Sequence, residues 1–479
     1  MEAHRLDQFT LASLARAIRT RKVSPVEITK ACLERIERLN PALNAFITVT
    51  AERALADARR AERVSARGGR RGPLHGVPIA IKDIFATAGI RTTCGSRVLR
   101  GWVPDHDATV VRRLTDAGAV LLGKLNMSEF AYAGVHPDVG PPRNPWNLDR
   151  FTGGSSSGSG GAVAAGLCFG SLGTDTGGSI RGPAANCAIV GLKPTYGLVS
   201  RAGVVPLSWS LDHAGPMART AEDALIILDA IAGFDPADPT SADRRTSGGR
   251  APSLRALAGT VSRMRVGVLR EFLGGSTETD VVSRVRDAVT ALGRLVRSVE
   301  DVTLPHADEI VPAWTAICVA EASAYHAQTL ARQPEDYGDL VRDRLQVGLA
   351  VPAVEYLQAQ RVRRTITRDV AALFERVDLL VLPSMLTEAP TIASATSTHG
   401  SWDVLKDRIR ATAPGNLTGL PAVSVPCGFT TSGLPVGLQI MGPHFADRTV
   451  LAAAHVYEQH AGWWTRRPRL DAGPTAAPR

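Results

Sequence analysis

The chain has 479 residues, 44% of them hydrophobic and 21% charged, with a formal net charge of +9 at pH 7. This is the composition of a globular protein with a large core, and it excludes a disordered or fibrous chain. The positive balance does not mark a nucleic-acid binder: the cations are spread along the chain, no basic run is interleaved with aromatics, and aromatic residues total only 5%.

In chain order, residues 10–65 read as helices. Leu11, Leu14, Ala15 and Ile18 recur at helical spacing, and Ser24-Pro25 opens a second helix with Ile28, Cys32, Ile36 and Leu39 on one stripe. Asn40-Pro41 is expected to end it, and Ala51–Ala66 reads as a third helix. From Pro73 the texture becomes strand–turn–helix. Val77–Ile81 and Val120–Leu122 read as strands, Ala108–Ala117 as a helix, and Ala162–Gly166 as a small-residue helix. The segment 235–258, rich in Pro, Gly and Ser, is expected to be a surface loop. Arg265–Leu269, Asp378–Pro383 and Ala422–Pro426 read as strands, and Val281–Val296 and Ala353–Phe374 as amphipathic helices. The alternation predicts an α/β fold with a large mixed, mainly parallel twisted sheet covered by helices on both faces.

The six cysteines, Cys32, Cys94, Cys168, Cys187, Cys318 and Cys427, form no C-x-x-C pair and have no histidine at ligand spacing. They read as buried thiols in a reducing compartment, with no structural metal. No N-terminal stretch looks like a signal peptide, so the expected location is cytoplasmic. The stretch 151–174 lacks Asp, Glu, Lys and Arg and is long enough to span a bilayer. Its Gly and Ser content points instead to burial within the protein, with no membrane contact.

Chemistry concentrates in two glycine–serine turns and one lysine. Gly153-Gly154-Ser155 and Gly177-Gly178-Ser179 flank a small-residue apolar stretch, and Lys82 lies in the apolar run Val77–Phe85. A serine hydroxyl needs an adjacent base, and a lysine serves only when burial lowers its pKa. The competing reading is a lysine that snorkels or pairs with Asp83. Glycines at 177 and 178 let backbone N–H groups converge on an oxyanion, with Asp175 and Arg181 placed to brace the turn. Ser156 satisfies a G-x-S-x-G string, but no apolar strand precedes it, which argues against a nucleophile elbow.

These segments together resemble the amidase signature family: GVPIAIKDIF (76–85), GGSSSGSGGAVAAG (153–166), GTDTGGSIRGPAANCAIVGLKPTYGLVSR (173–201) and NLTGLPAVSVPCGF (416–429), among others across most of the chain. The resemblance implies a Ser–Ser–Lys triad: Ser179 as nucleophile, Ser155 as a bridging serine after a cis peptide bond, and Lys82 as base. It further implies Thr176, Gly177, Gly178 and Ser179 as the oxyanion loop, and no metal or cofactor. Ser157 stands where the family commonly has Gly. A single domain over 1–479 is expected: a helical region 1–70, a signature core 71–235, a more variable and mostly helical region 259–375, C-terminal strands and a helix at 376–465, and a disordered tail 466–479.

For the substrate pocket the sequence offers Met127, Tyr132, Trp146, Gly153 and Gly154, with His136, Trp314 and Tyr325 as further pocket-shaping side chains. The main functional expectation is a stand-alone monomer or homodimer that hydrolyses small or aryl amides, esters or carbamates, with a small molecule and no nucleic acid as partner. The alternative is the glutamine-hydrolysing A subunit of a tRNA-dependent amidotransferase. That protein typically carries an Asp seven residues before the Asn of its NLAG motif. Here the position is Ile409, before Asn416, and a donor ammonium would lack its counter-charge.

Overall fold

The computed structural model describes residues 3–69, 72–132, 134–243, 253–396 and 409–470. The strands in chain order are β1 (Phe46–Val49), β2 (Pro78–Lys82), β3 (Val120–Leu125), β4 (Arg143–Asn144), β5 (Asn147–Phe151), β6 (Gly170–Asp175), β7 (Val190–Lys193), β8 (His213–Ala218), β9 (Arg265–Leu269), β10 (Ser298–Val302), β11 (Leu379–Pro383), β12 (Ala422–Phe429) and β13 (Pro435–Met441). All but the β4–β5 ribbon join one eleven-stranded sheet, in the order β1-β3-β2-β6-β8-β7-β12-β13-β11-β9-β10. Pairing is parallel through β3-β2-β6 and through β11-β9-β10. It is antiparallel from β6 across to β11 and at the β1 edge. The expected large mixed sheet with helices is therefore present. Strands β2, β3 and β11 are buried along their whole length, which is why they read as apolar runs rather than as alternating patterns; β6 is equally buried but, as GSLGTD, gives no strand signal.

Several boundaries differ from the sequence reading. The helix Pro25–Leu43 carries Pro41 in its last turn and stops at Asn44, whose φ of 50° is left-handed. Asparagine tolerates that conformation, and a proline this close to the end removes little of the ladder. The small-residue helix begins at Ser157 and ends at Ala164, inside the Gly/Ser run rather than after it, and every residue of it is buried. Glycine serves close approach here: a Cβ on Gly158 would stand 2.6 Å from the Asn126 backbone nitrogen. The expected loop 235–258 ends in a short helix, Leu254–Ala258, capped by the Ser253 side chain; residues 244–252 lie outside the described ones, as does the tail beyond 470. The long helix Ile310–Arg332 falls in the region expected to be mostly helical but is not delimited from sequence, because apolar residues on several of its faces blur the single stripe that marks an amphipathic helix. All six cysteines are free and buried. Among the described residues no helix is long and apolar enough to cross a membrane.

Candidate active site

Strand β2 delivers Lys82 at its last position, with no exposed surface. Successive residues of a strand face opposite ways, and the chain uses this to separate two charges. Asp83 turns to Lys124, at 3.1 Å, and accepts from the Thr93 backbone N–H and hydroxyl. Lys82 turns the other way, its Nζ 2.6 Å from Ser155 Oγ and 2.7 Å from Thr174 Oγ1. The pairing of Lys82 with Asp83 considered from sequence is thus absent. Burial lowers the Lys82 pKa from 10.5 to about 7, against the opposing pull of the Asp175 and Asp212 carboxylates. An amine in that range is available as a base near neutrality.

Ser155 lies in the turn that enters the helix Ser157–Ala164, and the Gly154–Ser155 peptide bond is cis. Ser179 lies in the turn after β6. The two turns are tied by the Ser156 N–H, which donates to the Ser179 carbonyl at 3.1 Å. Both serines line one cavity of about 120 Å³. The other serines are committed elsewhere: Ser156 Oγ donates to the Thr174 carbonyl and Ser157 Oγ to the Ser155 carbonyl.

The turn carrying Ser179 is braced by a buried charge network. Asp175 accepts from the Gly178 and Ile180 N–H groups at 2.8 and 3.0 Å and from both Nε and an Nη of Arg181. Burial alone would raise its pKa, but the Arg181 guanidinium and the Asn416 amide hold the carboxyl well below the usual carboxylate range. Arg181 reaches on to Asn416 Oδ1, Gln439 Oε1 and the Thr412 carbonyl. Thr412 Oγ1 donates to the Gly177 carbonyl, and Trp314 Nε1 to that of Thr176 at 2.8 Å. The Gly178 N–H is spent on Asp175, which corrects the expectation that it serves an oxyanion. Among the described residues, the N–H groups of Thr176, Gly177 and Ser179 have no partner within the protein and remain as candidate donors.

The structure sorts the expected pocket residues. Tyr132, Gly153 and Gly154 line the cavity, together with Trp314. Met127 does not: it is fully buried behind Gly95, where a Cβ would stand 2.8 Å from the Met127 carbonyl oxygen. Trp146 is also displaced, because its Nε1 donates to the Cys187 carbonyl and its ring packs on Phe429. His136 and Tyr325 are not among its lining residues either: His136 is buried and Tyr325 is exposed. Sequence reasoning missed Thr174, Thr412, Gln439 and, above all, Arg344. Arg344 comes from the helix Asp339–Leu349, is buried, lines the cavity, and stands 5.8 Å from the Tyr132 ring centre. It is the one charged side chain among the described lining residues. The Tyr132 hydroxyl beside it is buried and has no partner among the described residues. Ile409 lines the same cavity.

A model of the Amidase family matches residues 27–451. The A subunit of a glutamyl-tRNA(Gln) amidotransferase from Methylococcus capsulatus is 45% identical, over 96% of this chain and 98% of that one. Among solved structures, a chain of a vestigial protein complex described as revealing the evolutionary origins of an s-triazine catabolic enzyme superposes with a TM-score of 0.88 at 34% identity, covering 96% of this chain and 100% of the other. The A subunit of the glutamyl-tRNA(Gln) amidotransferase of Thermotoga maritima superposes with a TM-score of 0.81 at 33% identity, covering 98% and 99%.

These likenesses overturn the expectation of a stand-alone hydrolase of small or aryl amides, esters or carbamates with no nucleic-acid partner. The preference over the amidotransferase rests on Ile409, and the sequence reading does not include Arg344 among the cavity residues. A single position does not outweigh 45% identity across nearly the whole of both chains. The chain belongs to the amidase family.

Proposed function

We propose that the chain is the glutamine-hydrolysing A subunit of a tRNA-dependent amidotransferase. The observation that carries this reading is the 45% identity to the A subunit of a glutamyl-tRNA(Gln) amidotransferase, end to end in both chains. The cavity supports it: Arg344 and the Tyr132 hydroxyl suit the carboxylate of a small amide donor, and Ser155 and Ser179 line the same cavity, with Lys82 behind Ser155. Ile409 offers a donor ammonium no counter-charge, so glutamine is held through its carboxylate.

In this mechanism Ser179 Oγ attacks the side-chain carboxamide carbon while its proton passes to Ser155 and the Ser155 proton to neutral Lys82. The developing oxyanion is met by backbone N–H groups of Thr176, Gly177 and Ser179. The proton returns from Lys82 through Ser155 to the leaving nitrogen. The carbon–nitrogen bond breaks, ammonia departs, and an acyl ester remains on Ser179. Water, deprotonated through the same relay, hydrolyses that ester to glutamate. The ammonia is then the nitrogen source for the tRNA-bound acceptor on a partner protein. The six buried free thiols favour a reducing, cytoplasmic setting.

The test is ammonia release from glutamine, measured for the chain alone and with the partner subunits from its own genome and glutamyl-tRNA, using Ser179→Ala as the blank. Ser179-dependent release that rises on adding the partners is expected. No release from glutamine in the complete assembly would overturn the assignment.

A further inference from the structure

The carbonyls of the catalytic turn are held one by one. That of Asp175 accepts from Asn416 Nδ2 at 3.0 Å, and that of Gly178 from the Gly182 N–H at 2.7 Å. The Thr176 carbonyl accepts from Trp314 Nε1 at 2.8 Å and has no other partner among the described residues. A peptide unit is planar, and in the trans form its C=O and N–H point in opposite directions. The one cis bond among the described residues is Gly154–Ser155, so each fixed carbonyl also fixes the N–H of the following residue. Those N–H groups belong to Thr176, Ser179 and Gly177, the candidate oxyanion donors. The Gly177 carbonyl, held by Thr412 Oγ1, shares its unit instead with the Gly178 N–H, which is spent on Asp175.

The hold on Thr176 comes from far away in the chain. Trp314 lies 138 residues later, in the helix Ile310–Arg332. The indole is buried, at 4% exposure, and has a single N–H to give. Its ring also closes on Gly177, where a Cβ would stand 2.7 Å from Cζ2 and 3.0 Å from Nε1. Glycine therefore lets the indole lie directly against the peptide unit it holds. Any buried tryptophan tends to find an acceptor for its N–H. What sets this one apart is that its acceptor shares a rigid plane with a candidate oxyanion donor.

We propose that Trp314 is a positioning residue for the reaction at Ser179: by holding the Thr176 carbonyl, it aims the Gly177 N–H at the developing oxyanion. Without that bond the unit between residues 176 and 177 can turn, because Gly177 offers little steric resistance. The N–H then misses the charge that forms on the substrate oxygen. That charge exists in the transition state and not in the bound substrate, so the loss falls on kcat rather than on KM. The inference rests on the Ser179 chemistry described above, and not on glutamine being the donor.

The test is Trp314→Phe, which keeps an aromatic ring beside Gly177 and removes the N–H. Two rates are read: ammonia release from glutamine in the complete assembly, and labelling of Ser179 by a fluorophosphonate probe. In labelling, the Ser179 Oγ–phosphorus bond forms and the phosphorus–fluorine bond breaks. Fluoride leaves, the serine proton passes through Ser155 to Lys82, and the phosphoryl oxygen carries the charge that the N–H groups meet. Both kcat and the labelling rate are expected to fall about 10- to 100-fold, with KM for glutamine unchanged to within about twofold. Replacing Trp314 by benzothienylalanine, which keeps both rings and loses the N–H, should give the same losses, and it decides the matter if Trp314→Phe fails to fold. Rates within about twofold of wild type, or a loss confined to KM, would overturn the proposal alone. A wild-type chain whose Ser179 does not label would overturn it together with the chemistry it rests on.

Discussion

Replacing Lys82 with methionine should abolish turnover and remove a pH dependence from folding stability. The fully buried Lys82 falls from 10.5 to about 7, so below pH 7 both folded and unfolded chains carry its proton and the folded state bears the whole cost of a buried ammonium. Between about 7 and 10.5 the folded lysine is neutral while the unfolded one stays charged. The unfolded state then binds more protons, and stability rises with pH by about 1.4 kcal/mol per pH unit. From pH 6 to pH 9 the wild type should therefore gain about 3 kcal/mol relative to Lys82→Met. The constant part of the difference includes the lost contacts with Ser155 and Thr174, and it cancels in this comparison. The assay is urea unfolding followed by circular dichroism on both proteins at several pH values between 6 and 9. A stability difference that stays constant with pH would refute the reasoning, since it would mean the lysine is charged alike in both states. The companion observation is a wild-type rate that rises through pH 7 as Lys82 loses its proton.

Ser179→Ala should eliminate ammonia release, and Ser155→Ala should lower kcat by about 10²–10⁴, the usual worth of a general base; a wild-type rate in either would remove that serine from the relay. Gly177→Ala places a Cβ 2.7 Å from the Trp314 ring. The displaced turn should lower kcat by about 10²–10³ with little change in KM, and an unchanged kcat would show that the N–H groups there are not used. Asp175→Asn leaves Arg181 without its carboxylate inside the protein and should cost about 3–5 kcal/mol, read as a lower urea midpoint. Arg344→Gln should raise KM for glutamine by about tenfold or more while sparing kcat; an unchanged KM would move the donor carboxylate elsewhere.

What depends on local chemistry is legible in the order of the residues. A lysine inside VPIAIK and serines on two glycine turns carry their meaning within a few positions, and Lys82, Ser155 and Ser179 are brought together by β2, β6 and the turns beside them. Apolar runs such as Leu379–Pro383 announce buried strands because a sheet covered on both faces accepts little else. What depends on residues distant in the chain is settled by packing. Whether Lys82 or Lys124 takes Asp83 follows from strand alternation and from β3 lying beside β2. Whether the Gly178 N–H is free follows from Asp175 folding back on its own turn. Arg344 cannot be read as part of the pocket, because nothing in its helix says that this face turns toward a serine far earlier in the chain. Met127 and Trp146, flexible or aromatic and close in sequence to the site, look like pocket residues for the opposite reason. Packing against Gly95 and Phe429 claims them instead. Residue order thus says which groups can do chemistry, while long-range packing says which of them share a cavity and which charge the substrate meets there.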